Sequence, residues 1–148
     1  MKKSILLVED NSDDEALALR AFKRNNVGNK VVVAHDGTEA LDYLFASGAY
    51  AGRDISMQPE LVVLDLKLPR IDGFEVLRQM RADVRTKLLP VVILSSSSEE
   101  RDLARCYALG ANSYIQKPID FNEFLLAIQQ VGLYWLAVNH CAPPLRAN

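Results

Sequence analysis

The sequence predicts an α/β fold: a doubly wound, five-stranded parallel sheet with helices on both faces. Short apolar runs recur at Ile5–Val8, Val31–Ala34, Leu61–Leu64, Val91–Leu94 and Ser113–Ile115. Four of them are rich in Val, Ile and Leu with little polar alternation, which suits strands buried on both faces. Helical patterns fill the gaps, at about residues 12–26, 37–46, 73–82, 98–108 and 121–138. Five β–α units in series point to a parallel sheet.

Each element carries its own punctuation. Ser12 and Glu15 form a capping box after the first strand, with Asp13 and Asp14 in the first helical turn. Gly28-Asn29 ends that helix. Gly110 follows Leu109, where the fourth helix stops. Ser47–Pro59, with several small residues, reads as a long surface loop before the third strand. Residues 1–140 form one domain with an extended last helix. Residues 141–148 contain Pro143-Pro144, which no helix continues through, so they form a tail or an arm.

The bulk numbers fit one domain. The 148 residues are 49% hydrophobic and 24% charged, enough to bury a core without staples. A net charge of −2 gives no electrostatic case for nucleic acid or an anionic membrane. Cys106 and Cys141 make no disulfide framework. The opening apolar run is cut short by Glu9-Asp10, too soon for a signal peptide, and no stretch reaches membrane-spanning length. The expectation is a soluble cytoplasmic protein.

Parallel α/β sheets place their sites beyond the carboxyl ends of the strands. Glu9 and Asp10 lie there after strand one, Asp65 after strand three, Ser95 after strand four, and Lys117-Pro118 after strand five. Clustered carboxylates offer oxygen-only ligands of the kind Mg²⁺ takes. An aspartate carboxylate can act as nucleophile and form an acyl phosphate. Phosphoryl transfer then needs positioning and charge stabilisation, to which a metal, Lys117 and the Ser95 hydroxyl could each contribute.

The order Glu9-Asp10, then Asp65-x-x-x-Pro69-x-x-Asp72-Gly73, then Ser95, then Lys117-Pro118 resembles the receiver domain of bacterial two-component response regulators. The resemblance spans roughly residues 4 to 138. It implies a flavodoxin-like (βα)5 fold with strand order 2-1-3-4-5. It also implies Asp65 as phosphoacceptor. Mg²⁺ would be held by Asp10 and Asp65 directly, by Glu9 largely through water, and by the backbone carbonyl of Lys67. Ser95 would be the switch hydroxyl, Tyr114 the coupled aromatic, and Lys117 the contact to the phosphoryl group. The Lys117-Pro118 bond would be cis. A receiver of this kind catalyses only its own phosphorylation and dephosphorylation.

Three finer features narrow the family: the long connection before strand three, the run Leu64-Asp65-Leu66-Lys67-Leu68-Pro69, and Tyr134-Trp135-Leu136 in the last helix. They resemble the single-domain regulators paired with bacterial and cyanobacterial phytochrome kinases. That implies a light-regulated histidine kinase as donor and output through protein–protein contact. Lys67 departs from the small polar residue common at its position. Its side chain is expected to shield the acyl phosphate from water.

Rival functions fare worse. A haloacid-dehalogenase-like phosphatase needs a second Asp where Lys67 stands. A flavodoxin-like cofactor binder wants a Ser/Thr/Gly-rich loop where Glu9-Asp10-Asn11 stands. A receiver-like binding module that has lost phosphorylation usually lacks one of the acidic pair, the acceptor or the lysine, and this chain keeps all of them. Asp13 and Asp14 read as complements to the helix dipole, Asp72 as part of the turn with Gly73, and Ser96, Ser97 and Ser98 as loop and cap residues. Neither His35 nor His140 sits in a phosphohistidine motif.

The last helix has two apolar stripes. Phe121, Phe124, Leu125, Ile128, Gly132 and Trp135 should face the sheet. Leu126, Leu133 and Leu136 lie elsewhere and predict a partner face, with a homodimer through this helix and tail as the expected use.

Overall fold

The computed structural model describes residues 4–24, 30–117 and 120–143, without the side chains of Arg24 and Phe121. The Gly28-Asn29 stop, the peptide bond before Pro118, the facing of Phe121 and the tail beyond Pro143 lie outside the described residues. Five strands and five helices alternate: β1 (Ser4–Val8), α1 (Ser12–Arg24), β2 (Lys30–Ala34), α2 (Gly37–Phe45), β3 (Leu61–Leu64), α3 (Gly73–Ala82), β4 (Val91–Ser95), α4 (Glu100–Ala108), β5 (Ser113–Gln116) and α5 (Phe121–Leu133). All strand pairs are parallel, in the order β2-β1-β3-β4-β5.

The continuous apolar strands feed two cores. Successive strand residues point to opposite faces. Leu6, Val8, Val62, Leu64, Val91 and Ile93 pack with α2, α3 and Cys106 of α4. Ile5, Leu7, Leu61, Val63, Val92 and Leu94 pack with α1 and α5. β1, β3 and β4 are therefore buried on both faces, as their composition suggested; the fourth apolar run, β2, is only half-buried because it is an edge strand.

Register aligns the strand ends that matter. Val8 of β1 pairs with Ala34 and Leu64. The ladders then run one residue further: Glu9 N donates to Ala34 O at 2.9 Å, Asp65 N to Val8 O at 3.1 Å and Lys117 N to Ser95 O at 2.7 Å. The first residues past three strands are thus fixed by backbone bonds.

Some local expectations change. Asn11, not Ser12, caps α1: its Oδ1 accepts from Asp13 N and Asp14 N, both at 3.0 Å. Both residue types make good caps, and Ser12 is already helical. α4 begins two residues later than the pattern suggested, at Glu100. The Ser47–Pro59 connection is pinned rather than loose. Arg53 stacks 4.0 Å over the Tyr43 ring and donates to the carbonyls of Tyr43 and Met57, at 2.7 and 2.6 Å.

Helix α5 runs into a π-helical turn at Tyr134–Val138, with wider spacing than an α-helix. Phe124, Leu125 and Ile128 are buried as expected, joined by Val131. Leu136 is a correction. It is only 2% exposed and packs in the α1–α5 core, about three helical turns past the buried Leu125 and on the same face. Leu126 and Leu133 remain outside, with Tyr134 and Val138 beside them.

Gly73 shows what the turn after Asp65 requires. A Cβ built on it would lie 2.2 Å from the Asp65 carbonyl oxygen and 2.8 Å from the Leu66 Cα. Both obstacles are backbone. Asp72 caps α3 by accepting from Glu75 N at 2.9 Å, as the turn reading anticipated. Gly73→Ala should therefore lower unfolding stability by about 1–3 kcal/mol. Denaturant midpoints of the two proteins check this, and equal midpoints would contradict the crowding.

Candidate functional site

The site grows from three ladder extensions and one buried hydroxyl. Glu9 is 2% exposed, Asp65 7% and Ser95 1%. Buried carboxylates are unfavourable unless paired. Lys117 supplies the pairing. Its Nζ lies 2.6 Å from Glu9 Oε1, 2.9 Å from Asp14 Oδ2 and 3.1 Å from Asp65 Oδ2. An ammonium has three protons, so all its donors are taken.

Glu9, Asp10 and Asp65 converge. One carboxylate oxygen from each lies within 4.8 Å of the others. With Asp14 the rim holds four carboxylates, three of them on the one ammonium, which leaves an excess of negative charge. An oxygen-only set with that excess fits a hard divalent cation. An open, polar cavity of about 670 Å³ gives access, lined by Asp10, Asp14, Asp65, Lys67, Ser96 and Lys117 among others.

Burial pushes the Glu9 carboxyl up from 4.5 to about 7. The hydrogen bond from Lys117 opposes that rise, and the Asp65 carboxylate adds to it. Burial pulls the Lys117 ammonium down, but its bonds to Glu9 and Asp14 and the nearby Asp65 charge outweigh this, so its pKa is raised. Lys117 thus stays charged while Glu9 retains a proton more readily than an ordinary glutamate. The Cys106 thiol, buried among apolar residues, rises to about 11 and stays neutral.

The sequence-derived residues do not all meet. Lys67 is exposed at the cavity, and its backbone N donates to Asp65 Oδ1 at 3.4 Å. Ser95 stands deeper, its Oγ accepting from Ser97 N at 3.2 Å, while Ser96 lines the cavity. Tyr114 is half-buried, and its hydroxyl donates to Ser97 O at 2.8 Å. The peptide groups flanking Ser97 therefore connect Ser95 to Tyr114. Asp14 was missed as a site residue. An acidic residue in a first helical turn has a sufficient local explanation, and nothing local signals a partner 103 residues away.

Five strand-end side chains on this sheet order are the receiver arrangement, and the family model for the response regulator receiver domain matches residues 5–129. The chain belongs to the response regulator receiver family. It is 39% identical over 140 residues to the probable methanogenesis regulatory protein FilR2 of Methanothrix harundinacea, covering 95% of this chain and 88% of that one. It is 34% identical over 134 residues to the response regulator Rcp1 of Synechocystis, covering 90% and 89%. The solved Mn²⁺-bound form of Rcp1 superposes with a TM-score of 0.89 at 31% identity, covering 95% of this chain and 99% of that one. The phosphorylated cyanobacterial phytochrome response regulator RcpA superposes with a TM-score of 0.90 at 36% identity, covering 97% and 100%. The receiver fold and its strand order hold as expected. Receivers act in signalling rather than as conventional enzymes. Among the described residues, no helix is long and apolar enough to cross a membrane.

The raised Glu9 pKa gives a signed pH dependence. The native carboxyl holds its proton more tightly than the unfolded chain, so this group's contribution to metal-free stability falls as pH rises from 4.5 to about 7. A cation must displace the same proton. Divalent-cation affinity should weaken about tenfold per pH unit below that pKa and level off above it. Calorimetric titration across pH checks this, and Glu9→Gln should flatten the profile.

Proposed function

We propose that this receiver accepts a phosphoryl group on Asp65 from a phosphohistidine of a histidine kinase and signals through protein–protein contact. The observation that carries this reading is the Lys117 ammonium bridging Glu9 and Asp65 at the mouth of an acidic cavity. Asp65 Oδ attacks phosphorus in line, the bond to the donor nitrogen breaks, and the histidine leaves with the electron pair. Glu9, Asp10, Asp65 and the Lys67 backbone carbonyl would hold Mg²⁺. When bound, the cation neutralises charge on the transferred oxygens. Lys117 stays protonated throughout and turns a donor from Asp65 to a phosphoryl oxygen.

The switch follows from the Ser97 peptides. The Ser95 hydroxyl accepts from Ser97 N and keeps a proton to donate to a phosphoryl oxygen, so as it turns toward that oxygen it draws the Ser97 peptide with it. Moving that loop loosens the Tyr114 bond to Ser97 O, and Tyr114 turns inward. This biases an existing equilibrium in the α4–β5–α5 face. The likeness to Rcp1 and RcpA supports a phytochrome-type kinase as donor. The exposed Leu126 and Leu133 on α5, with Tyr134 and Val138, support a homodimer through that helix. Leu136, being buried, takes no part.

Incubation with acetyl phosphate and Mg²⁺, followed by intact mass and sedimentation, tests this reading. The wild type should gain one phosphoryl mass and sediment as a dimer at high micromolar concentration, while Asp65→Asn should gain none. A mass gain in Asp65→Asn would overturn the acceptor assignment, and a wild-type monomer with and without phosphoryl would overturn the dimer.

Lys67 sets a second expectation. Its side chain stands at the cavity mouth, where it can screen the acyl phosphate from water. Lys67→Asn should shorten the phosphoryl lifetime severalfold, measured as decay of the phosphorylated mass after donor removal. An unchanged lifetime would sink the idea.

A further inference from the structure

Asp14 contributes a carboxylate to Lys117 yet lies outside the group of three whose oxygens converge. We propose that Asp14 is a positioning residue for phosphoryl transfer: it anchors the Lys117 ammonium beside the acceptor when a divalent cation draws on Glu9 and Asp65. This rests on the reading of Asp65 as phosphoacceptor.

The ammonium and a divalent cation make competing claims on the same carboxylates. Lys117 holds three carboxylates, at 2.6, 2.9 and 3.1 Å. Two of them, Glu9 and Asp65, belong to the converging cluster. A carboxylate oxygen that coordinates a dication is a poorer acceptor for an ammonium, and the two cations repel each other. Held by those two alone, Lys117 would be displaced by the metal its chemistry must work beside. Asp14 is the remaining partner.

Asp14 is also built to stay in place. It sits in the first turn of α1, a 13-residue helix. Its backbone N is capped by Asn11 Oδ1 at 3.0 Å. The helix is fastened to the sheet through Ala18, Ala21 and Phe22, which share a core with α5. A carboxylate on a rigid element fixes its partner better than one on a loop. Asp14 lines the cavity together with Asp65 and Lys117, so the anchor faces the reacting group.

The step stays balanced. Lys117 transfers no proton. When Asp65 becomes an acyl phosphate, the donor that pointed at Asp65 Oδ2 turns to a phosphoryl oxygen, and the bond to Asp14 persists. Asp14 itself does not touch the phosphoryl group.

Phosphorylation of the full chain by acetyl phosphate at saturating Mg²⁺ tests this in wild type, Asp14→Ala and Asp14→Asn. The maximal rate in Asp14→Ala should fall at least about tenfold, since a displaced catalytic group loses rate steeply. Half-saturating Mg²⁺ and donor concentrations should shift less than threefold. Asp14→Asn keeps an acceptor oxygen at the same place and should fall between. It also carries the test if the alanine variant does not fold. A structural readout separates anchoring from general stability. With Mg²⁺ bound, the Lys117 side-chain ammonium should give a protected nitrogen NMR signal in wild type, assigned by its loss in Lys117→Met, and lose protection in Asp14→Ala. A wild-type rate in both Asp14 variants, or a loss that tracks Mg²⁺ affinity, overturns the proposal. So does an unprotected Lys117 in wild type. Phosphorylation of Asp65→Asn would overturn the acceptor reading instead.

Discussion

Two carboxylates buried side by side at the ends of adjacent strands are the constraint around which the structure is arranged. Glu9 and Asp65 sit at the edge of an apolar sheet that gives negative charge no solvation of its own. Lys117 must reach them, and it does so from the far strand of the sheet. Removing the ammonium would leave uncompensated buried charge, a cost of several kcal/mol. Burial above all, with the Asp65 carboxylate adding to it, raises the Glu9 carboxyl against the opposing bond from Lys117. The excess of carboxylates over ammonium at this rim is the donor set a hard divalent cation suits. Site chemistry and folding therefore draw on the same charges.

The fold was legible because its strongest signal has few competitors. β1, β3 and β4 are runs of Val, Ile and Leu with no polar alternation, the pattern of strands covered on both faces, although the equally apolar β2 lies half-buried at the edge of the sheet. Helix ends were less legible. Asn11 and Ser12 are adjacent and both cap well, so composition alone does not choose between them. Leu136 was misplaced for another reason. It was grouped with Leu126 and Leu133 because it is near them in sequence, whereas it stands about three turns past the buried Leu125 and shares that face.

Within the site, residues that follow strands were readable, since parallel sheets deliver such positions to one rim. Glu9, Asp65 and Lys117 meet there. Contacts made by residues away from the strand ends were not readable. Asp14 already had a local role at a helix start, so its bond to Lys117 left no trace. The depth of Ser95 was equally silent, because a hydroxyl at a strand end can point toward the cavity or into the loop behind it.

Gly73 has a consequence beyond its own turn. The backbone of α3 touches the backbone of Asp65 with no room for a single methyl, so the acceptor has nowhere to retreat on that side. β1 closes the other flank through the Asp65 N to Val8 O bond. Opposite stands the segment after β4, fastened largely by serine hydroxyls at Ser95 and Ser97. The pocket thus has one stiff jaw and one soft jaw. Room to give lies on the side of α4 and Tyr114, and the stiff jaw gives the molecule its mechanical polarity.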